Sequence, residues 1–161
     1  MSRVLAIDPG SEQSAYVIWD GAQILDKDIV LNNLLRQFLM FNASEPELYE
    51  NTAMVIEEVC CYGMAVGRSI FETVFWTGRF CEAWPHAWHR VPRMEIKMHH
   101  CHDSRAKDPN IRIALIDRFG GKEKAIGKKA NPGVFYGVKA DIWSALAIGI
   151  YWWDINIDIK R

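Results

Sequence analysis

The chain has 161 residues, the length of one ordinary domain. Half of them are hydrophobic and 24% are charged, which permits a single packed core. The net charge of −1 argues by itself against a nucleic-acid partner, no signal-peptide pattern opens the chain, and the longest apolar run (145–153) is too short to span a bilayer.

Residues 3–8 are an apolar run suited to a buried strand, and Asp8-Pro9-Gly10 stops it with turn residues. Residues 15–19 read as a second strand, Asp20-Gly21 as a hairpin turn, and 22–29 as a third strand. Leu31, Leu34, Leu35, Phe38 and Leu39 have helical spacing over 31–41. Residues 53–59 form another buried strand, which carries Glu57 and Glu58. A helix follows over 67–84, then a short strand over 88–91. Pro92 opens a further helix, as proline does in a first turn. Residues 109–119 read as a helix closed by Gly120-Gly121. Polar, glycine-containing 122–137 reads as a mobile loop, and 139–153 as the last helix. The order is three strands joined by tight turns, then alternating helices and strands, which is one α/β layered structure without repeats or long linkers.

Charge is unevenly spread. Residues 90–139 hold twelve Lys or Arg against five Asp or Glu, a local balance of +7, so the remainder sums to −8. Such asymmetry suggests a basic surface able to meet phosphates; a solvated, lysine-rich face is the plainer alternative. Cys60, Cys61, Cys81 and Cys101 lack zinc-ribbon or finger spacing and read as reduced thiols in a cytoplasmic protein. His99-His100-Cys101-His102 does not suit zinc, because consecutive side chains diverge. The seven tryptophans read mainly as core.

Four acids stand in apolar surroundings. Asp8 ends a buried strand, Glu57 and Glu58 interrupt another, and Asp141 sits near the start of an apolar helix. A buried carboxylate costs several kcal/mol unless it is paired or bound to a metal. If the two strands are sheet neighbours, Asp8 and a glutamate converge at one end, and the helix brings Asp141 beside them. Hard oxygen ligands without His or Cys suit Mg²⁺, with Mn²⁺ substituting, and two such ions can flank a scissile phosphate. Plainer readings exist for each residue. Asp8 suits a turn, one of the two glutamates must face the other way, and Asp141 suits a helix N-terminus.

Read together, these segments resemble the RuvC family of Holliday-junction resolvases, within the RNase H-like superfamily. Val4 to Gly10 looks like its first strand with the opening catalytic aspartate, and Ile56-Glu57-Glu58-Val59 like its second catalytic strand, where the first acid is the ligand. Thr77-Gly78-Arg79 is similar to its Gly-containing helix. Val91-Pro92-Arg93 with Ile96-Lys97 resembles its Pro-x-x-Val/Ile-Lys segment, with one extra residue, and Ala145-Leu146-Ala147 resembles the end of its last catalytic motif. The matches run in order over nearly the whole chain.

The resemblance implies an α/β RNase H-like domain over 1–161, with a mixed sheet of three antiparallel strands followed by parallel ones, flanked by helices. It implies a Mg²⁺-dependent endodeoxyribonuclease that resolves four-way or other branched DNA by paired nicks, in recombination and repair. The protein would be a homodimer with two ions per active site and no membrane association. Asp8, Glu57 and Asp141 would be the catalytic metal ligands, with Glu58, Lys139 and Ser144 beside them. Ser144 stands where the family usually carries a further acid; a shifted alignment would put Asp141 there. The family's aromatic wedge falls nearest Cys60, so Tyr62 or another aromatic would substitute. Arg79, Arg93, Lys97, Lys122, Lys124, Lys128 and Lys129 complete the expected DNA contacts. The loop with Asn131-Pro132-Gly133 and Tyr136-Gly137 resembles divergent phage and plasmid relatives.

Three rivals differ in kind. The actin-like ATPase and sugar-kinase superfamily also ends its first strand in an Asp-Gly turn, but it duplicates the fold, and this chain is too short for two lobes. The others are an RNase H-like nuclease acting on RNA–DNA hybrid or RNA, and a catalytically impaired branched-DNA-binding module, which Ser144 suggests.

Overall fold

The computed structural model describes residues 2–42 and 49–158. A five-stranded sheet has the order β3-β2-β1-β4-β5. Its strands are β1 (Arg3–Asp8), β2 (Gln13–Trp19), β3 (Ile24–Leu31), β4 (Thr52–Glu58) and β5 (Trp88–Pro92). β1, β2 and β3 are antiparallel neighbours, whereas β4 runs parallel to β1 and β5 parallel to β4. Central β1 has Val4, Leu5, Ala6 and Ile7 wholly buried, as a strand covered on both faces must. Edge strand β3 instead carries Asp26, Lys27 and Asp28, charges that discourage pairing with another chain.

The helices lie in two layers. On one face, α1 (Asn32–Asn42) and α2 (Arg68–Ala83) cover Leu5, Ile7, Met54 and Ile56. On the other, Val4, Ala6, Val17 and Val55 pack beneath α6 (Ile142–Asn156), with α3 (Arg93–Cys101) and α4 (Asp108–Arg118) outside it. Sandwiched between sheet and helices, α6 is apolar nearly all round, which is what a buried helix requires. Gly149 permits its close approach: a Cβ there would lie 3.2 Å from that of Ala6.

Several boundaries differ from the sequence reading. The third strand begins at Ile24 rather than 22, because the Asp20 carboxylate accepts from the amides of Ala22 and Gln23 and lengthens the turn. The last helix begins at Ile142 rather than 139. Ala140 is left-handed (φ 44°), and Lys139 offers its carbonyl to the Ile142 amide, so both belong to a turn. The stretch read as a mobile loop over 122–137 contains α5 (Lys122–Ala125) and a two-stranded hairpin of β6 (Gly127–Lys128) and β7 (Asn131–Pro132). The Phe135 side chain, wholly buried between Phe119 and Trp143, anchors that segment to the core.

Candidate active site

Parallel pairing of β1 and β4 puts Ile7 beside Ile56. One residue further on, Asp8 ends β1 and Glu57 is the last residue but one of β4. Alternation turns both toward α6, because Asp8 follows Val4 and Ala6, and Glu57 follows Val55. The same rule turns Glu58 the other way. It lies 3.6 Å from Arg90 and lines an open groove of about 570 Å³ along Val74, Thr77 and Gly78 of α2. That groove lies on the other side of the sheet from Asp8 and Glu57.

The N-terminal end of α6 completes the group. Burial above all, and then the negative charges of Glu57 and Asp141, push the Asp8 carboxyl up from 3.8 to about 7; Arg93 and a hydrogen bond from Ser144 oppose the rise. Burial likewise raises Glu57, against the charge and hydrogen bond of Arg93 and the charge of Lys97. Asp141 is the residue just before α6, and its side chain makes no capping bond. It stands where the helix dipole favours an acid, as its plainer reading had it, but its carboxylate is not engaged in a capping bond.

Arg93 and Lys97 lie one helical turn apart on α3. The Arg93 guanidinium donates to Oε2 of Glu57 at 2.8 Å, and its second nitrogen pairs with Oδ1 of Asp108 at the start of α4. Glu57, Arg93, Asp108 and Ser144 share a pocket of only about 20 Å³, room for a single water at most. Among the described residues, no three His, Cys, Asp or Glu side chains are grouped closely enough to hold a metal ion as they stand. The donor set nevertheless fits a hard divalent cation: carboxylate oxygens, an Asp8 carboxyl raised in part by the charges of Glu57 and Asp141, and a guanidinium already standing in at Glu57.

The other candidate residues are more scattered. Tyr62 lies in the loop after β4, 63% exposed and left-handed (φ 48°). Arg79 sits over the rings of Phe75 and Trp76 on α2, the face opposite α6. Lys122 and Lys124 lie on α5, Lys128 on β6, and exposed Lys129 in the hairpin turn. Lys139 is exposed just ahead of α6. His99 meets Asp154 at 2.7 Å and His100 meets the carbonyl of Ala147 at 2.8 Å, so both rings serve the α3–α6 contact. Asp108 was missed by the sequence reading. Ahead of Pro109 it looks like a helix-start acid, and nothing local announces its ion pair with Arg93.

No protein-family profile matches the chain, and no curated protein matches it in sequence. Solved structures do. A Thermus thermophilus RuvC structure aligns at TM-score 0.63 and 15% identity, covering 92% of each chain. T. thermophilus RuvC in complex with a Holliday junction substrate aligns at TM-score 0.64 and 13% identity, covering 94% of this chain and 92% of that one. The chain therefore has the RuvC-like, RNase H-like α/β fold expected above. None of the helices described is long and apolar enough to cross a membrane.

Proposed function

We propose that this RuvC-like chain is a divalent-metal-dependent endonuclease that resolves four-way DNA junctions by paired nicks. One observation carries the reading. Asp8 and Glu57 lie at the same end of adjacent parallel strands, facing α6, and the charge of Asp141 reaches Asp8 from that helix's start. Two half-buried acids with a third, exposed acid beside them favour a cation, and Asp8, Glu57 and Asp141 are the residues that would hold Mg²⁺ or Mn²⁺, two ions per site. Such ions, when bound, neutralise a scissile phosphate and activate water. The Ser144 hydroxyl, in the first turn of α6, stands by Asp8 and favours its charged form. Arg93 and Lys97 offer positive charge beside Glu57, and the lysines of α5 and the β6–β7 hairpin offer further phosphate contacts.

Membership of the RuvC family, in a divergent phage or plasmid branch acting in the cytoplasm, belongs to the same proposal. So does a homodimer, since two nicks at related positions call for two sites related by a twofold axis. Exposed Phe71, Val74 and Phe75 on α2 are apolar surface that such a dimer would bury. The test incubates purified protein with a four-way junction, linear duplex, flap and RNA–DNA hybrid, with and without Mg²⁺, and sediments the free protein. Paired nicks in the junction, only with Mg²⁺, are expected from a dimer. A stable monomer making single nicks would remove the resolvase reading, and preferential cutting of the hybrid would move the activity to another RNase H-like class.

A further inference from the structure

We propose that Arg93 is a built-in counter-ion that keeps Glu57 from divalent metal until a nucleic-acid phosphate draws the guanidinium away. The proposal rests on the reading of Asp8, Glu57 and Asp141 as metal ligands. It makes the metal-free, DNA-free protein a latched state of that site.

The latch is a fork. One guanidinium nitrogen reaches Glu57 at 2.8 Å and another reaches Asp108, so a single cation bridges acids from β4 and α4. Arginine presents these donors from a rigid planar fork, whereas a lysine would offer a compact point charge on a flexible stem. Arginine also keeps its proton at any ordinary pH, so Glu57 is released by movement of the side chain and not by titration. A metal ion and the guanidinium cannot both take Oε2 of Glu57, the oxygen that Arg93 holds. The Arg93 contact holds the Glu57 carboxylate toward α3 and α4.

The ends of the latch differ in shelter. The Glu57 side chain is 15% exposed, that of Arg93 30% and that of Asp108 64%. Water thus weakens the Asp108 end, and solvent can reach the guanidinium. A phosphate oxyanion is the natural competitor, because guanidinium binds phosphate in the same bidentate way. Once Arg93 turns to phosphate, Glu57 is left uncompensated beside Asp8 and needs a cation. Phosphate and metal therefore favour each other's binding, and the coupling is reciprocal. The consequence is a nuclease that takes up its metal on DNA and leaves free metal largely alone.

The test measures Mn²⁺ binding to DNA-free protein by the loss of the free-ion spin-resonance signal, in wild type, Arg93→Gln, Arg93→Lys and Asp8→Asn. A charge-assisted hydrogen bond is being removed, so Arg93→Gln should bind Mn²⁺ at least about tenfold more tightly than wild type. Arg93→Lys should fall between them. Should Arg93→Gln fail to fold, Arg93→Lys carries the test, with about threefold tighter binding expected and wild-type affinity overturning the latch. Equal affinity in wild type and Arg93→Gln, with binding lost in Asp8→Asn, would overturn the latch and leave the metal site standing. No Mn²⁺ binding by any of the four proteins would remove the metal site and the latch together. In EDTA, Arg93→Gln should also reduce the salt dependence of junction binding by about one phosphate contact. An unchanged slope would overturn the release by phosphate.

Discussion

The hydroxyl of Ser14 donates to Oδ1 of Asn32 at 2.6 Å, in a pair almost wholly shielded from solvent. The Asn32 amide donates in turn to the Gly10 carbonyl at 2.9 Å, and the Gly10 N–H donates to Ser14 Oγ at 3.1 Å. Residues from the start of β2 and the start of α1 thus lock the turn that directly follows Asp8. Gly10 is needed in that turn, since a Cβ there would meet the Gln13 carbonyl oxygen at 2.2 Å. Asn32→Ala leaves the Ser14 hydroxyl and the Gly10 carbonyl short of buried partners and should cost about 1–3 kcal/mol. Urea unfolding of the variant measures this directly. A loss below a few tenths of a kcal/mol would show that the network does not hold the turn.

The stability of the metal-free protein should depend on Asp8. Its carboxyl is raised to about 7, chiefly by burial, so it binds its proton more tightly folded than unfolded. The stabilisation from that proton is complete below the ordinary value of 3.8 and is lost as pH rises through about 7. A shift of this size corresponds to about 4 kcal/mol. In EDTA, Asp8→Asn should therefore be more stable than wild type at pH 8 and little different at pH 4. Denaturant titrations across that range check the sign. Wild type gaining at pH 8 what the variant gains would contradict the burial of the Asp8 charge.

Glu57 and Glu58 should separate cleanly. Glu57→Gln removes a carboxylate that faces Asp8 across the β1–β4 pair, and nicking of a four-way junction should fall by roughly 10²-fold or more. Glu58→Gln acts on the opposite face and only loosens a partly exposed pair with Arg90, so its effect should be under about threefold. Single-turnover rates at saturating Mg²⁺ compare the two. The reverse ranking would mean that the chemistry lies on the α2 side of the sheet.

Lysines 128 and 129 of the β6–β7 hairpin should act on binding and not on the cutting step. Replacing both with Gln should lower the slope of log affinity against log salt by about 2, while the nicking rate of fully bound junction stays within about twofold. Fluorescence titration in EDTA at several salt concentrations gives the slope. An unchanged slope would identify these side chains as solvated surface.

Much of the scaffold was legible from local pattern. The apolar run ending at Asp8, the second run broken by Glu57 and Glu58, and the apolar stretch behind Asp141 have periods that declare strands and a buried helix. A carboxylate inside such a run marks itself, because burial of an unpaired charge is costly. Alternation also required Glu57 and Glu58 to face opposite ways. Which of them meets Asp8 depends on β1 lying parallel to β4 with Ile7 beside Ile56, a pairing between strands about fifty positions apart in the chain. The Arg93–Asp108 pair, the Ser14–Asn32 lock and the burial of Phe135 under the hairpin are likewise contacts between distant positions. Local sequence carries no period or spacing for them, since each depends on where α3, α4 and α6 come to rest on the sheet. The start of α6 at Ile142 was hidden for a related reason: Ala140 takes a left-handed backbone that alanine by itself does not favour, and the packing of the surrounding chain imposes it.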